Sequence, residues 1–172
     1  MGSSQTGLEI FLSKVPSPAK VLVPGCDEGS IAVRLAALGH DVLAIDQKPL
    51  PKALEGTFSF EARDVRLFSP PQESFDGIYC HRLISYLGPE EVRRVMMIFF
   101  RALKPKTGVL FLSHLKSGPA TASHGERLGQ TFAYDPEAFQ SLLRQSGFLT
   151  ELKGTQSHLN QDWNAYVCRR IS

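Results

Sequence analysis

The sequence predicts an α/β protein, a three-layer sandwich built on a seven-stranded, mostly parallel sheet with an antiparallel C-terminal hairpin. Three observations carry this expectation. Short apolar runs alternate with amphipathic stretches along the chain, the pattern of successive βαβ units. Glycines and prolines punctuate the switches between them. The 172 residues are enough to bury about two-thirds of the unfolded surface. One domain over residues 1–172 is therefore expected, with 1–18 as a flexible or short N-terminal extension and no disulfide or metal needed for stability.

Each element has its own signals. "KVLVP" reads as the first strand, ended by Pro24 and Gly25. Ser30 to Leu38 follows as a helix, with Ile31, Leu35 and Leu38 on one face and Gly39 as its stop. "DVLAI" is a second strand with Asp46 at its carboxyl end. The crossover "QKPLPKALEGT" carries two prolines and a glycine, so a single turn or an extended loop is expected there. "FSFEA" is a third strand, the paired prolines make "RDVRLFSPPQES" a turn-rich link, and "FDGIYC" is a fourth strand.

Pro89 to Leu103 has the strongest helical pattern. Pro89 suits the first turn, Glu90 and Glu91 favour its positive end, and Val92, Val95, Met96 and Phe99 recur at helical spacing. Met96, Met97, Phe99 and Phe100 are expected in the core. "GVLFLSHL" is continuous enough to be a buried central fifth strand. Lys116 to Tyr134 lacks periodicity and reads as a long loop. Asp135 then caps a helix through Gln145, with Pro136 in the first helical position. "FLTELKG" and "NAYVCRR" form the closing hairpin, joined by the polar "TQSHLNQDW".

Composition excludes several functions. Nineteen basic residues against 17 acidic ones give a formal charge of +2, and the basic residues are scattered, so nothing marks a nucleic-acid surface. Cys26, Cys80 and Cys168 are odd in number and far apart, with no C-x-x-C pair and no His at metal-ligand spacing. No metal site is expected, and a reducing cytoplasmic home is the simplest reading. Apolar runs fall far short of the roughly 20 residues of a bilayer span. The N-terminus lacks a basic region followed by an apolar one, so neither membrane insertion nor export is expected, and "MGSSQTG" reads as a loose tail.

The stretch "VLVPGCDEGSIA" poses the functional question. Open α/β sheets bind ligands beyond the carboxyl ends of their strands, where strand order reverses, so the first strand's loop matters most. Counted from Gly25, a dinucleotide loop of the form G-x-G-x-x-G would place glycine at Asp27 and Ser30, and both are absent. A pyrophosphate would also meet Asp27 and Glu28 at short range. A nicotinamide-dependent oxidoreductase fails on this spacing.

A ligand with a zwitterionic tail meets no such objection, and here the chain resembles the class I S-adenosylmethionine-dependent methyltransferases, with their Rossmann-like fold, from about Ala19 to Arg169. "PGCDEG" stands for their glycine-rich turn, Asp46 in "AIDQ" for the acid ending the second strand, and Asp64 in "ARDV" for the acid after the third. "FDGIYCHRLISYL", "FFRALKPKTGVLFLS" and "FAYDPEAFQSLLRQSGF" resemble later family segments, and "VLVPGC" is closest to the thiopurine methyltransferase-like branch. Asp27 in place of the middle glycine and Val23 in place of an acid depart from the pattern.

The resemblance implies S-adenosylmethionine as cofactor. Gly25, Cys26 and Asp27 would lie against its methionine part, Asp46 would meet the ribose hydroxyls, Asp64 and Val65 the adenine, Cys80 would contribute backbone near the methionine part, and Gly29 and Gln47 complete the cofactor-binding set. Each has a plainer reading: Asp46 as a turn former, "RDVR" as a local ion-pair cluster, Cys26 and Cys80 as small buried hydrophobes. Methyl transfer from a sulfonium needs mainly in-line positioning, so no triad is required. His81, His114 and His124 are candidate general bases, and Tyr134, with Ser85 and Tyr86, a candidate lining of the acceptor pocket.

The expected function is methyl transfer to a small-molecule acceptor. The alternative is a catalytically degenerate methyltransferase fold that serves as a binding or regulatory subunit. The fourth-strand segment lacks the Asn/Asp-Pro-Pro-aromatic motif of nucleic-acid amino-methylating enzymes. Few residues precede the first strand to cover an acceptor, which leaves room for a second copy, in a homodimer, to complete the site.

Overall fold

The computed structural model describes residues 6–116, 126–128, 131–158 and 161–172, with only the backbone of 126–128, 156–158 and 161–162. The chain opens with helix α1, Gly7–Lys14, started by a reciprocal cap in which the Glu9 amide donates to Thr6 Oγ1 at 3.3 Å and the Thr6 amide to Glu9 Oε2 at 2.7 Å. It buries Leu8 and Phe11 against the sheet, so the N-terminal extension includes a packed helix.

The elements that follow are β1 (Lys20–Pro24), α2 (Ser30–Ala37), β2 (Asp41–Asp46), β3 (Ser59–Ala62), β4 (Gly77–Cys80), α3 (Pro89–Ala102), β5 (Val109–Lys116), β6 (Glu126–Leu128), β7 (Thr131–Tyr134), α4 (Pro136–Gln145), β8 (Phe148–His158) and β9 (Gln161–Arg170). Strands β3, β2, β1, β4 and β5 lie side by side and parallel. β9 then pairs antiparallel with β5, and β8 antiparallel with β9. These seven strands form the expected mostly parallel sheet with its antiparallel C-terminal hairpin. Strand order reverses between β1 and β4, which opens a crevice at their carboxyl ends.

Alternation along the strands feeds two cores. Leu22, Ile45, Ile78, Leu110 and Leu112 face α3 and α4 through Val95, Met96, Phe99, Phe139 and Leu143. Val21, Val23, Ala44, Tyr79 and Phe111 face α1 and α2 through Phe11, Ala32 and Leu35. The connection from β2 to β3 is a single 3-10 turn at Lys52–Leu54, as its prolines require.

Four expectations need correction. Leu38 is exposed, because α2 ends at Ala37 and buries Ala32 with Leu35 instead. Met97 is 55% exposed, since adjacent helical residues point about 100° apart and Met96 takes the inward position. The stretch 116–134 is not all loop: β7 pairs parallel with the end of β5 at Leu115 and Lys116, and β6 pairs antiparallel with β7. β5 outruns the four residues of β4 beside it, and its free edge takes up this hairpin just beyond the end of β4. The C-terminal strands also run through most of the polar joining segment, to His158 and from Gln161, because β8 is an edge strand that tolerates polar outward faces.

Candidate functional site

The loop after β1 is a tight turn made of left-handed residues: Gly25 has φ +63°, Asp27 +50° and Gly29 +83°. Asp27 therefore adopts the conformation a glycine takes more freely, which aspartate tolerates better than most residues. The turn is tied to β2. Gly25 donates its amide to Ile45 O at 2.8 Å, and the Asp27 amide donates to Asp46 Oδ2 at 2.9 Å. The Lys48 amide donates to the other oxygen, Oδ1, at 3.0 Å. Each Asp46 oxygen thus accepts one backbone bond and keeps a further acceptor position.

A cleft of about 800 Å³ opens over this turn, at the crevice between β1 and β4. Gly25, Cys26, Asp27, Asp46, Gln47, Asp64 and Val65 all line it. Two expected residues do not. Gly29 is buried as the residue before α2, packed beneath Leu50, Leu54 and Phe58. Cys80 is fully buried on the α3 side of the sheet, while its neighbours Tyr79 and His81 reach the cleft.

Asp64 stands in the cleft wall as part of an ion-pair cluster. Arg66 Nε lies 2.9 and 3.0 Å from the two Asp64 oxygens, and the Arg66 amide donates to Oδ1 at 2.9 Å. The guanidinium also pairs with Glu91 of α3. Hydrogen bonding from Arg66 holds the Asp64 carboxyl below its usual range, and the Gly88 amide, followed by Arg66, does the same for Glu91. Cys26 is a small buried thiol, with its pKa pushed up to about 11 chiefly by burial and then by Asp46.

Sequence reasoning missed the cleft's cations: Lys48, Arg63, Arg66 and Arg82. A signal existed, because all four follow closely on the carboxyl ends of β2, β3 and β4. Counted over the whole chain they look scattered; counted at strand ends they converge.

The other wall follows β4. His81 Nδ1 lies 3.0 Å from Ser113 Oγ, which also accepts the Arg82 amide at 3.0 Å. Arg82 is left-handed, φ +64°, and its guanidinium carbon lies 5.1 Å from the Trp163 ring centroid. Tyr86, 63% exposed, and Leu83 complete this side.

Three other candidates sit elsewhere, and the fourth lies outside the described residues. His114 is fully buried between Phe139 and Tyr166, with Nδ1 donating to Leu115 O at 2.8 Å and Nε2 3.2 Å from the Tyr166 hydroxyl. Burial pushes its pKa down to about 4, so it is a neutral core imidazole that does not reach the cleft. The Tyr134 hydroxyl donates to Leu87 O, and Tyr134 lines a smaller groove between α3 and α4. Ser85 is buried and accepts the Leu115 amide at 2.9 Å. His124 falls outside the described residues. Among the described residues, no His, Cys, Asp and Glu cluster could hold a metal, and no helix is long and apolar enough to cross a membrane.

A strand order reversing between β1 and β4, a glycine-bracketed turn after β1 and an acid ending β2 define the class I S-adenosylmethionine-dependent methyltransferases. Residues 21–106, half of the 172-residue chain, match the family model described as "Methyltransferase domain". The chain belongs to that family, which uses S-adenosylmethionine.

Solved structures share the fold. The 1,6-didemethyltoxoflavin-N1-methyltransferase of Burkholderia thailandensis, with bound 1,6-didemethyltoxoflavin and S-adenosylhomocysteine, is 18% identical, with a TM-score of 0.81 over 96% of this chain and 75% of that one. A SAM-dependent methyltransferase from Methanosarcina mazei is 17% identical, with a TM-score of 0.78 over 94% and 97%. Magnesium protoporphyrin IX methyltransferase from Synechocystis, with bound SAM, is 17% identical, with a TM-score of 0.68 over 87% and 69%. No curated protein matches the chain in sequence.

Proposed function

We propose that the cleft holds S-adenosylmethionine and that the chain methylates a small-molecule acceptor. The observation that carries this reading is the join between the left-handed turn and the Asp46 carboxylate, which leaves acceptor positions open at the mouth of an 800 Å³ cleft. That volume lies within the range of about 300–1,000 Å³ usual for cofactor and small-ligand sites. Asp46 would accept the vicinal ribose hydroxyls, and Gly25, Cys26 and Asp27 would face the methionine part. Gln47, Asp64 and Val65 would frame the adenine, with Asp64 held in place by Arg66.

When bound, S-adenosylmethionine supplies an activated methyl group on a sulfonium. The chain's own residues then need only to orient an acceptor and take its proton. His81 would perform the second task. In the tautomer whose Nδ1–H donates to Ser113 Oγ, Nε2 would be the basic nitrogen. The segment after β4, with His81, Arg82, Leu83 and Tyr86, would wall the acceptor side.

The small-molecule reading is supported by the acceptors named for the Burkholderia and Synechocystis neighbours. The Val23-Pro24 pair supports a place in the thiopurine methyltransferase-like branch, and three free, buried cysteines support a reducing compartment.

A screen of small acceptors that follows S-adenosylhomocysteine release tests the function. Turnover with at least one acceptor, lowered about 10²–10⁴-fold in His81→Ala at its pH optimum, is the expected result. Cofactor binding without release for any acceptor would favour the binding-subunit alternative.

A further inference from the structure

Arg82, in the cleft wall beyond β4, and Trp163 of β9, against which its guanidinium rests, each carry one buried hydrogen-bond donor. Arg82 Nε and Trp163 Nε1 are both shielded from solvent and have no partner among the described residues. Leaving such a donor unpaired is costly, so it favours a ligand that accepts from it. The guanidinium stacks on the indole, its carbon 5.1 Å from the ring centroid, so the two donors belong to one patch. A third unpaired donor, Asn164 Nδ2, is not part of it. Asn164 follows Trp163 in β9 and faces the opposite side of the sheet, beside His114.

Of the cleft's four cations, Lys48, beside Asp46 in the cofactor part, and Arg82, in the wall beyond β4, have no ion-pair partner among the described residues. Arg66 is neutralised by Asp64 and Glu91, and Arg63 pairs with Glu61 at 3.2 Å. The Arg82 backbone lies in the uncommon left-handed region, with its amide donating to Ser113 Oγ at 3.0 Å. An uncompensated guanidinium in a cleft, beside a second N–H donor, calls for an oxyanion. Its planar fork matches a carboxylate in particular. Next to it the exposed Tyr86 ring and the Leu83 side chain line the cleft, and His81 sits against the stacked Tyr79–Phe111 pair. This wall suits a flat, unsaturated body.

We propose that the methyl acceptor is an aromatic carboxylic acid, held by its carboxylate at Arg82, whose guanidinium is braced by Trp163. The carboxylate serves as the recognition group, while the atom to be methylated lies towards His81. The proposal rests on the reading that the cleft also binds the cofactor.

Calorimetry on protein saturated with S-adenosylhomocysteine tests it, with benzoate, 4-hydroxybenzoate and quinoline-4-carboxylate as probes, each against its amide. At least one acid is expected to bind tenfold or more tighter than its amide. Arg82→Gln should erase that preference, and Arg82→Lys should keep part of it. Trp163 is the only tryptophan, so benzoate binding should also change the intrinsic emission of the unaltered protein. Acids binding no tighter than amides to the cofactor-loaded protein, or a preference that survives Arg82→Gln, would overturn the proposal and leave the cofactor reading intact. Failure of S-adenosylhomocysteine itself to bind would instead overturn the cofactor reading. Titrating each variant with S-adenosylhomocysteine reports whether its fold is intact.

Discussion

His114 carries its neutral state into the core, and that has a consequence for stability. The unfolded chain binds a proton at an ordinary histidine pKa near 6.5, whereas burial pushes the folded value down to about 4. Above pH 6.5 both states are neutral and the residue adds no pH dependence. As pH falls from 6.5 towards 4 the unfolded state gains a proton that the folded state refuses, so stability drops, by on the order of 3 kcal/mol in total. Asp64, Glu91 and Glu151 titrate low in the folded protein, so their contributions are lost only below the ordinary carboxylate range. Urea denaturation between pH 7 and 5 should therefore show a decline that is largely absent in His114→Gln, whose side chain does not titrate. An equal decline in both proteins would contradict the assignment.

The same residue marks what a sequence can say at this scale. Asp46 was readable because its type and its place at a strand end coincide. His114 also ends a strand-like run, but its orientation depends on sheet register, which pairs it with Asn164 and points it at Tyr166 and Phe139. Asp64 supported two readings, and its Arg66 partner two positions on puts the ion-pair cluster inside the cleft wall. Asp27 needed a backbone angle to decide its case, and φ +50° shows that it makes the turn.

At the scale of elements, the main additions to the expected topology are α1 and the β6–β7 hairpin. Both are short segments, which leave little periodicity to read. α1 closes the face beneath β4 and β5 by seating Phe11 over Gly77. A Cβ at Gly77 would fall 2.5 Å from Phe11 Cζ and 2.9 Å from Val15 Cγ1. Gly77→Ala should accordingly destabilise the protein by about 1–3 kcal/mol through overpacking. Combining it with Phe11→Leu should recover part of that loss, giving a non-zero coupling in the double-mutant cycle. A neutral Gly77→Ala in thermal or urea denaturation would show that α1 does not dock here. The strands and helices with strong internal patterns, β1, β2, β5, α3 and α4, were legible because burial on one or both faces dictates their residues.

Across the whole molecule, the site exists because parallel strands run outward in both directions from the β1–β4 boundary. Their following segments must converge where that order reverses. The left-handed turn, the Asp46 clasp and the cations after β2, β3 and β4 are consequences of this one topological feature. Sequence reasoning reached the turn and an acid at the end of β2, whose residue types are distinctive, but not the hydrogen bond that joins them. It missed the cations because only the assembled sheet shows that they share a cleft.

Calorimetric titration of the protein with S-adenosylhomocysteine, beside Asp46→Asn and Asp46→Ala, tests the central claim most directly. Charged hydrogen bonds of this kind are worth about 1.5–3 kcal/mol. One saturable site is expected in the unaltered protein, weakened about 10- to 100-fold in both variants while their thermal unfolding stays cooperative. No binding by the unaltered protein, or equal affinity in all three, would contradict it.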